Sequence, residues 1–314
     1  SPFYSVKNNA IAGSGQLLLN ITPSGSFFRL ATITLEGTRF GAPGDQNYHK
    51  VKGGLDIHLR PVNNRNNILQ RIYGHYISAS DLYAITLSKV TSMTSFLHIG
   101  FELENKRLVN PFNLLVFTEI HESYQKVSAE VNYRYSYSGE DNGLDIRLFA
   151  GAMMKNNSMA PFHSLAAGGR SGRENYLYGG TYPDRFSRFS ETFFSRQMTL
   201  QEGGLVSPVN SSLGYSDRLI SLTMTSSLPG RAGWIPLKPF ANILVDGNSP
   251  GNNLNSSFFY EAGVKAGIWD FFEIYFPLLV SENIGSIRGP VKDRIRFVLN
   301  LNSFNQLDPL GIMN

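Results

Sequence analysis

The chain has 314 residues, no cysteine and a formal net charge of +4 at pH 7. The lack of cysteine excludes disulfides and thiolate metal sites. The basic residues are spread along the chain, without the continuous basic stripe that a nucleic-acid interface requires, so we expect no nucleic-acid partner. No apolar run approaches the ~18 residues of a transmembrane helix, whereas abundant Gly, Tyr and Phe favour strands and turns.

Alternation of apolar and polar residues predicts β-strands along most of the chain. In 50–60, Val51 and Leu55 fall on one face, and Lys52 and Asp56 fall on the other. The same alternation predicts strands over 96–104, 126–137, 143–152, 260–268 and 293–302. Weaker patterns predict further strands around 12–20, 27–37, 68–78, 83–92, 113–121, 218–227, 240–246 and 270–280.

Clusters of Asn, Gly, Pro and Ser separate these runs and predict turns between them. They lie at 61–67, 137–143, 154–158 and 246–257. No helical pattern of useful length competes with the strands. The sequence therefore predicts an all-β meander of antiparallel hairpins.

The length and polarity of the predicted strands indicate a membrane β-barrel. The runs are about 9–12 residues long, which exceeds the ~5–6 residues of soluble sandwich strands and suits a tilted membrane-crossing strand. One face is aliphatic, with Tyr133, Tyr135 and Tyr137 at one strand end as in an interfacial aromatic girdle. We predict a closed antiparallel transmembrane β-barrel of about 12–16 strands. A soluble sandwich or propeller is the alternative fold.

The polar faces of these strands supply the residues that we expect to line the lumen. Sliding 126–137 by one residue would turn its charges towards lipid, where a cation costs about 2–4 kcal/mol at the bilayer midplane. The register is therefore well defined. The expected lumen-lining residues are Lys52, Asp56, His58, Arg60, Lys126, Glu130, Arg134, Asp145, Arg147, Arg294 and Arg296. In the last strand, the residues expected to face lipid are Ile295, Phe297, Leu299 and Leu301.

Two prolines constrain where the strands begin and end. Pro239 and Pro277 both lie within apolar runs, and a closed ladder tolerates proline only at strand starts or bulges. We therefore expect Pro239 at a strand start and Pro277 near a strand end.

The region 158–217 is too long for a hairpin turn and is rich in arginine and aromatic residues. Its arginines are Arg170, Arg173, Arg185, Arg188 and Arg196. Three alternatives remain open: a solvated surface loop, a plug inside the lumen, or a docking surface for a partner protein or lipopolysaccharide phosphate. In a plug, the arginines could pair with the inward carboxylates Asp56, Glu130 and Asp145.

The sequence offers no convincing catalytic or metal site. The histidines show no ligand spacing, and His58 and His98 fall on polar strand faces. The stretch HESYQ, 121–125, has His121 and Glu122 but Gln125 where a zinc motif needs histidine. An outer-membrane enzyme is the least favoured interpretation, because no Ser/His/Asp or paired-carboxylate set stands out, and it would be tested by alanine substitution at His121, Glu122 and His163. We expect no cofactor.

Three segments carry a resemblance to a known family. They are GRENYLYGGTYPDRFSRFSETFFSRQMTLQEGG (172–204), LPGRAGWIPLKPFANILVD (228–246) and FFEIYFPLLVSENIG with DRIRFVLNLNSFNQLDP (within 271–309). They resemble the C-terminal barrel region of Bacteroidota outer-membrane proteins related to gluzincin (aminopeptidase N-like) metallopeptidases. The resemblance covers most of the chain and implies a membrane barrel that follows a peptidase-type region. This chain lacks that family's H-E-x-x-H motif, so the zinc chemistry does not transfer.

These observations predict a single outer-membrane barrel domain over 1–314, with a lead-in at 1–10 and a periplasmic tail at 303–314. Since the chain opens at Ser1 without methionine, either a signal peptide has been removed or the chain is part of a longer polypeptide. The expected role is a non-enzymatic anchor or scaffold in a Gram-negative outer membrane, holding a peptidase-like domain or partner subunits. The alternative is a porin-like channel for small hydrophilic solutes. Expected partners are outer-membrane lipids, lipopolysaccharide and other outer-membrane proteins.

Overall fold

A computed structural model describes the larger part of the chain. The described residues are 2–5, 10–23, 27–41, 47–60, 67–80, 93–137, 142–157, 163–168, 198, 202–207, 215–228, 232, 235–247, 257–268, 272–282, 284 and 291–299. Contacts divide the chain into two compact units. The first unit comprises Ser1–Tyr135 and Arg147–Ser164, and the second comprises Ser136–Ile146 and Leu165–Asn314.

The first unit is an antiparallel meander. Its strands are β1 (Pro2–Ser5), β2 (Ala10–Ile21), β3 (Phe28–Gly41), β4 (Asn47–Leu59), β5 (Ile68–Ser80), β6 (Met93–Asn105), β7 (Phe112–Ile120) and β8 (Tyr124–Ser136). Each strand pairs with the next strand along the chain. Strand β9 (Gly143–Asn156) follows, and its residues are shared between the two units.

The second unit continues with antiparallel pairs. Strands β10 (Leu165–Ala166) and β11 (Tyr215–Ser216) form a short separate pair. The longer strands are β12 (Arg218–Ser226), β13 (Leu237–Asp246), β14 (Ser257–Ile268) and β15 (Phe272–Val280), and a helical turn α1 (Val291–Arg294) precedes β16 (Arg296–Leu299). Each of the strands from β12 to β16 pairs with the next.

The predicted all-β antiparallel fold is confirmed. Every strand predicted within the described residues is present, and the longest, β3 and β9, have 14 residues each. The lead-in 1–10 contains β1, which pairs with β2. The predicted strand at 83–92 and the tail 303–314 lie outside the described residues. Closure into a barrel and the number of strands stay predictions.

The two prolines lie where the ladder tolerates them. Pro239 is the third residue of β13, in line with the expected strand start. Pro277 lies in the second half of β15, beside a register shift between Ala262 and Gly263 of β14. A bulge of this kind leaves a residue unpaired, which accommodates the missing proline N–H.

The prediction for the last strand was partly wrong. Strand β16 begins only at Arg296, and Arg294, expected on that strand, lies in α1. A helical turn is favoured here by the preceding Pro290 and by the basic side chains in its last turn. Phe297, expected to face lipid, is only 2% exposed, and its ring lies 5.7 Å from that of Phe272. Leu301 lies outside the described residues.

Candidate functional site

The first unit has an exposed aliphatic face and a buried polar face, which is the reverse of an ordinary soluble sheet. On the exposed face Leu17 pairs with Leu35, and Ile33 pairs with both Leu19 and Leu55. Leu17 is 66% exposed and Leu35 is 53% exposed. The alternate positions of the same strands are polar and covered: Thr34 and Asp56 are both buried. We call these two surfaces the exposed face and the buried face.

Cross-strand pairing arranges the buried face of the first unit into rows that contain ionisable side chains. One row runs across β4 to β8 through Gly54, His75, His98, Glu119 and Lys126. The next row runs through Asp56, Tyr73, Gly100, Phe117 and Ser128, and a third through His58, Arg71, Glu102, Leu115 and Glu130. Because side chains two residues apart on a strand point to the same face, these three rows lie side by side on the buried face.

Asp56 is the centre of one network on the buried face. Its carboxylate lies 3.0 Å from His75 Nε2 and 3.4 Å from Arg71 Nη1, and it accepts a hydrogen bond from Thr34 Oγ1 at 3.4 Å. Arg71 also binds Glu102 at 2.6 Å, and Asn113 donates to Glu102 at 2.9 Å. Neighbouring strands therefore neutralise each other's charges.

Aromatic rings lie over glycines beside this network. The Tyr73 ring stacks on His75 with centroids 5.1 Å apart and meets the edge of His98 at 5.2 Å. Tyr73 covers Gly100, its cross-strand partner, so closely that a Cβ there would lie 2.3 Å from the phenol ring. Only glycine leaves room for this ring.

A second charge pair on the buried face is almost completely shielded from solvent. Lys126 Nζ lies 3.2 Å from Glu119 Oε2, and the two side chains are 2% and 4% exposed. They are direct cross-strand partners on β8 and β7. Removing one member of such a buried pair leaves an uncompensated charge and typically costs about 3–5 kcal/mol.

Glu130 and Arg147 form a third pair. Their closest atoms are 2.7 Å apart, Asn132 also donates to Glu130 at 2.7 Å, and the Arg147 guanidinium lies over the Phe149 ring at 5.2 Å. Both Asp56 and Glu130, which could pair with loop arginines if the region 158–217 formed a plug, thus have partners from their own sheet. Arg170, Arg173, Arg185, Arg188 and Arg196 lie outside the described residues.

Most predicted lumen-lining residues lie on the buried faces. Those whose strand positions share this face are Lys52, Asp56, His58, Lys126, Glu130, Arg134, Asp145 and Arg147. Arg296 pairs with the buried Tyr275 in the second unit. Arg60, by contrast, is exposed and follows the end of β4, and Arg294 lies in α1. The assignment of these residues to a lumen stays a prediction.

In the second unit, part of the region 158–217 lies against the strands. We call residues 202–207 the inner segment; five of its six residues are buried. Glu261 of β14 is 1% exposed and accepts hydrogen bonds from the backbone N–H of Val206 and, at 2.9 Å, of Ser207. Asn242 of β13 donates to Glu261 at 2.7 Å and to the Gly204 carbonyl at 3.2 Å. For these residues, a solvated surface loop was the wrong alternative.

The inner segment also closes an apolar cluster. Val206 lies with Met198, Phe240 and Tyr275 in one buried cluster, against which Val298 packs. Val298, which alternates along β16 with Phe297, therefore lies on the face of that strand that packs against this cluster. The Met198 backbone N–H donates to the Phe297 carbonyl at 2.9 Å, which places residue 198 along β16.

Sequence reasoning did not single out Glu261 or Asn242. Glu261 looks like any polar residue of an alternating strand, and Asn242 lies inside the apolar run FANILVD. The one available signal is that each of two neighbouring strands carries a polar side chain among mainly apolar residues, an amide at 242 and a carboxylate at 261. Their contact with residues 204–207 spans at least 38 positions of sequence, which no local pattern encodes.

The positions considered for catalysis show ring stacking instead of ligand geometry. His121 follows β7 in a tight turn, and its Nδ1 lies 2.8 Å from Ser123 Oγ. The Tyr124 ring stacks with His121, at 5.0 Å, and with His163, at 4.6 Å, and the two histidine rings lie 6.4 Å apart. Within the described residues, no three His, Cys, Asp or Glu side chains come together as a metal site would require.

The fold is thus an antiparallel β-meander whose buried faces carry charge networks and, in the second unit, a buried segment of the chain itself. No helix in the described part of the chain is long and apolar enough to span a membrane. No family model and no curated protein matches the sequence. Among solved structures, the chain is similar to BamA from Haemophilus ducreyi lacking POTRA domains 1–3, with 10% sequence identity and a TM-score of 0.42. The match covers 87% of this chain, which spans 59% of the length of that BamA chain.

Proposed function

We propose that the chain forms a closed transmembrane β-barrel of the outer membrane of a Gram-negative bacterium, and that it serves as a non-enzymatic anchor or scaffold. The observation that carries this proposal is the polarity of the sheet in the first unit. Rows of Leu, Ile and Val are exposed, whereas Asp56, Glu119 and Lys126 on the same sheet are buried. In water this arrangement is unfavourable on both faces, and in lipid it is favourable on both.

Magnitudes support the membrane setting. Each large aliphatic side chain moved from water into an apolar medium contributes about 1.5–3 kcal/mol, and the exposed face of the first unit carries many of them. Turning the sheet over would instead place Lys126 and Glu119 in lipid, at about 2–4 kcal/mol for the lysine near the midplane and less for the carboxylate. Most of the strands are also long enough: the 13 residues of β5 at about 3.3 Å each reach about 43 Å, which at a tilt of about 40° crosses about 33 Å, against an apolar band of about 25 Å.

The anchor role is favoured over a channel by the second unit. There the inner segment is packed on the buried faces of β13 and β14 and held by Glu261 and Asn242. In a closed barrel this face would surround the lumen, so the segment would obstruct it. The partly exposed pairs Arg71–Asp56 and Arg147–Glu130 in the first unit favour the second candidate, a porin-like channel, because mixed charges of this kind resemble a water-filled pore lining.

The resemblance to barrel regions of gluzincin-related Bacteroidota proteins supports a peptidase-like domain or partner subunits as the cargo of the anchor. Peptide mapping of the native protein from membranes tests this part of the proposal. Peptides upstream of Ser1 that carry H-E-x-x-H would support a metallopeptidase anchored by this barrel. A native chain without such a region, and without copurifying subunits in stoichiometric amounts, would contradict the anchor role.

Two measurements test the barrel and the choice between anchor and channel. A closed barrel folded in detergent should migrate differently on a gel before and after boiling, and identical mobility would contradict it. In planar bilayers, the anchor interpretation expects no stepwise conductance from the folded chain. Regular single-channel steps would favour the porin-like alternative instead.

A further inference from the structure

We infer that Glu261 and Asn242 form an intramolecular peptide-binding site whose ligand is the inner segment of the same chain. The inference deepens the proposed function and rests on it in one respect: only in a closed barrel does the face carrying this site surround a lumen. The binding contacts themselves do not depend on the membrane.

The site binds backbone groups of the inner segment. The Glu261 carboxylate accepts from two successive backbone N–H groups, those of Val206 and Ser207. Asn242 uses its amide group to bind both the Gly204 carbonyl and the carboxylate. A carboxylate that receives three hydrogen bonds is a strong acceptor for a chain with consecutive free N–H groups. The chemical class of the ligand is therefore a peptide with exposed consecutive amides.

The inner segment is shaped to fit this site. A Cβ at Gly203 would lie 2.4 Å from the Leu244 side chain and 2.5 Å from the Ala167 carbonyl, so only glycine can approach β13 this closely. Gly204 and Glu202 both have positive φ, at 75° and 49°, which turns the chain sharply before the residues that bind Glu261. Glycine adopts this conformation without strain.

A second strip of chain, residues 165–167, also binds the inner segment. Gly203 N donates to the Ala166 carbonyl at 3.1 Å, and Leu205 N donates to the Ala167 carbonyl at 3.2 Å. Leu165 and Ala167 are themselves buried. The strip and the strand side chains therefore bind different backbone groups of the segment.

Filling space does not explain the choice of residues. Leucine or phenylalanine at 261 would exclude water at a lower desolvation cost than a carboxylate that is 1% exposed. A buried carboxylate is tolerated because the segment supplies its donors, and in return it binds that segment in one register. The site thus holds residues 202–207 against β13 and β14, and it would keep a lumen closed on this side.

The first experiment uses the fact that the chain contains no cysteine. Val206→Cys introduces a reporter at a position that is 2% exposed and leaves the backbone N–H donor intact. The full chain, folded in detergent, is treated with a small water-soluble thiol reagent. We expect slow labelling in the Val206→Cys chain and at least a tenfold faster rate when Glu261→Gln is added, because an amide replaces one acceptor oxygen with a donor.

Glu130→Gln in the same reporter chain is the matched control. Glu130 lies on β8 and binds Arg147 and Asn132, neither of which belongs to the cluster around Val206. Its labelling rate should stay within about twofold of that of the parent chain, because substitutions at distant, independent sites add to within about 0.3–0.5 kcal/mol. Equal acceleration by both substitutions, or none by Glu261→Gln, would overturn the inference.

Retained heat-modifiable migration shows that a variant has folded. Should Glu261→Gln not fold, Asn242→Ala is used, since it removes the donors to Gly204 and Glu261, and unchanged labelling in that folded variant overturns the site. Bilayer recording then separates this inference from the proposed function. If the substituted chain labels faster and also shows new conductance steps, both the peptide-binding site and the proposed barrel are supported. Slow labelling of the Val206→Cys chain that Glu261→Gln accelerates, with a cooperative denaturant transition but no heat-modifiable migration in either chain, supports the site and contradicts the barrel.

Discussion

The two units satisfy buried polar groups in different ways. In the first unit, charges are balanced between neighbouring strands, as in the pairs Glu119–Lys126 and Glu130–Arg147. In the second unit, the most buried carboxylate, Glu261, is satisfied mainly by the backbone of the inner segment. A pair between strands strengthens the sheet itself, whereas a carboxylate that binds a separate segment makes the position of that segment part of the fold. A buried glutamate therefore stabilises the pairing of strands in the first unit, whereas in the second unit it keeps the inner segment bound.

The largest effect is expected from breaking the charge balance of the first unit. Lys126→Met removes the cation beside Glu119, where both side chains are nearly inaccessible, and should lower the free energy of unfolding by about 3–5 kcal/mol. Denaturant titration in detergent or lipid, followed by heat-modifiable migration, measures the loss. The double variant Glu119→Gln with Lys126→Met should recover much of it, because no charge is left without a partner. If Lys126→Met alone were as stable as the parent chain, the Glu119–Lys126 pair would not contribute to stability.

A somewhat smaller effect is expected on the exposed face, and it depends on the surroundings. Leu35→Arg places a cation among the exposed aliphatic rows and should cost about 2–4 kcal/mol in lipid bilayers. The matched control is Leu108→Arg, because Leu108 is even more exposed, at 67%, but lies between strands β6 and β7. If both variants change stability by less than about 0.5 kcal/mol, as surface substitutions in water do, the face does not contact lipid.

The sequence was sufficient for the strands but not for the segment bound inside. Alternation with period two predicted the strands at 126–137 and 50–60 and separated Lys126 and Asp56 from the exposed aliphatic residues of the same strands, because register and polarity are local properties of a strand. It failed at the last strand, where Arg294 fits the alternation although residues 291–294 form a helical turn. It also failed at Glu261, because its partners Val206 and Ser207 are 55 and 54 residues away in a region without a periodic pattern.

The aromatic layer of the first unit offers a more modest test. Gly100→Ala would place a methyl group 2.3 Å from the Tyr73 ring, and the ring would have to leave its contacts with His75 and His98. We expect a loss of about 1–3 kcal/mol, as for other overpacked sites. Gly74→Ala, on the neighbouring strand, meets nothing within 4 Å and should be neutral or slightly stabilising. Equal effects at the two glycines would show that strand propensity, and not the ring, sets the cost.

The smallest effect is expected for a lysine–glutamate pair that is exposed to solvent. Lys106 and Glu104 lie 3.4 Å apart, but their side chains are 58% and 39% exposed. Lys106→Met should change the free energy of unfolding by less than about 1 kcal/mol, because solvent and salt screen an exposed pair. Lys126→Met removes the same group from a pair of similar length, so the difference between the two variants isolates the contribution of burial. Measured together in low and high salt, only the exposed pair should respond to ionic strength. If the two losses were equal, burial would not be what makes the Glu119–Lys126 pair matter, and the polarity of the sheet would lose its energetic basis.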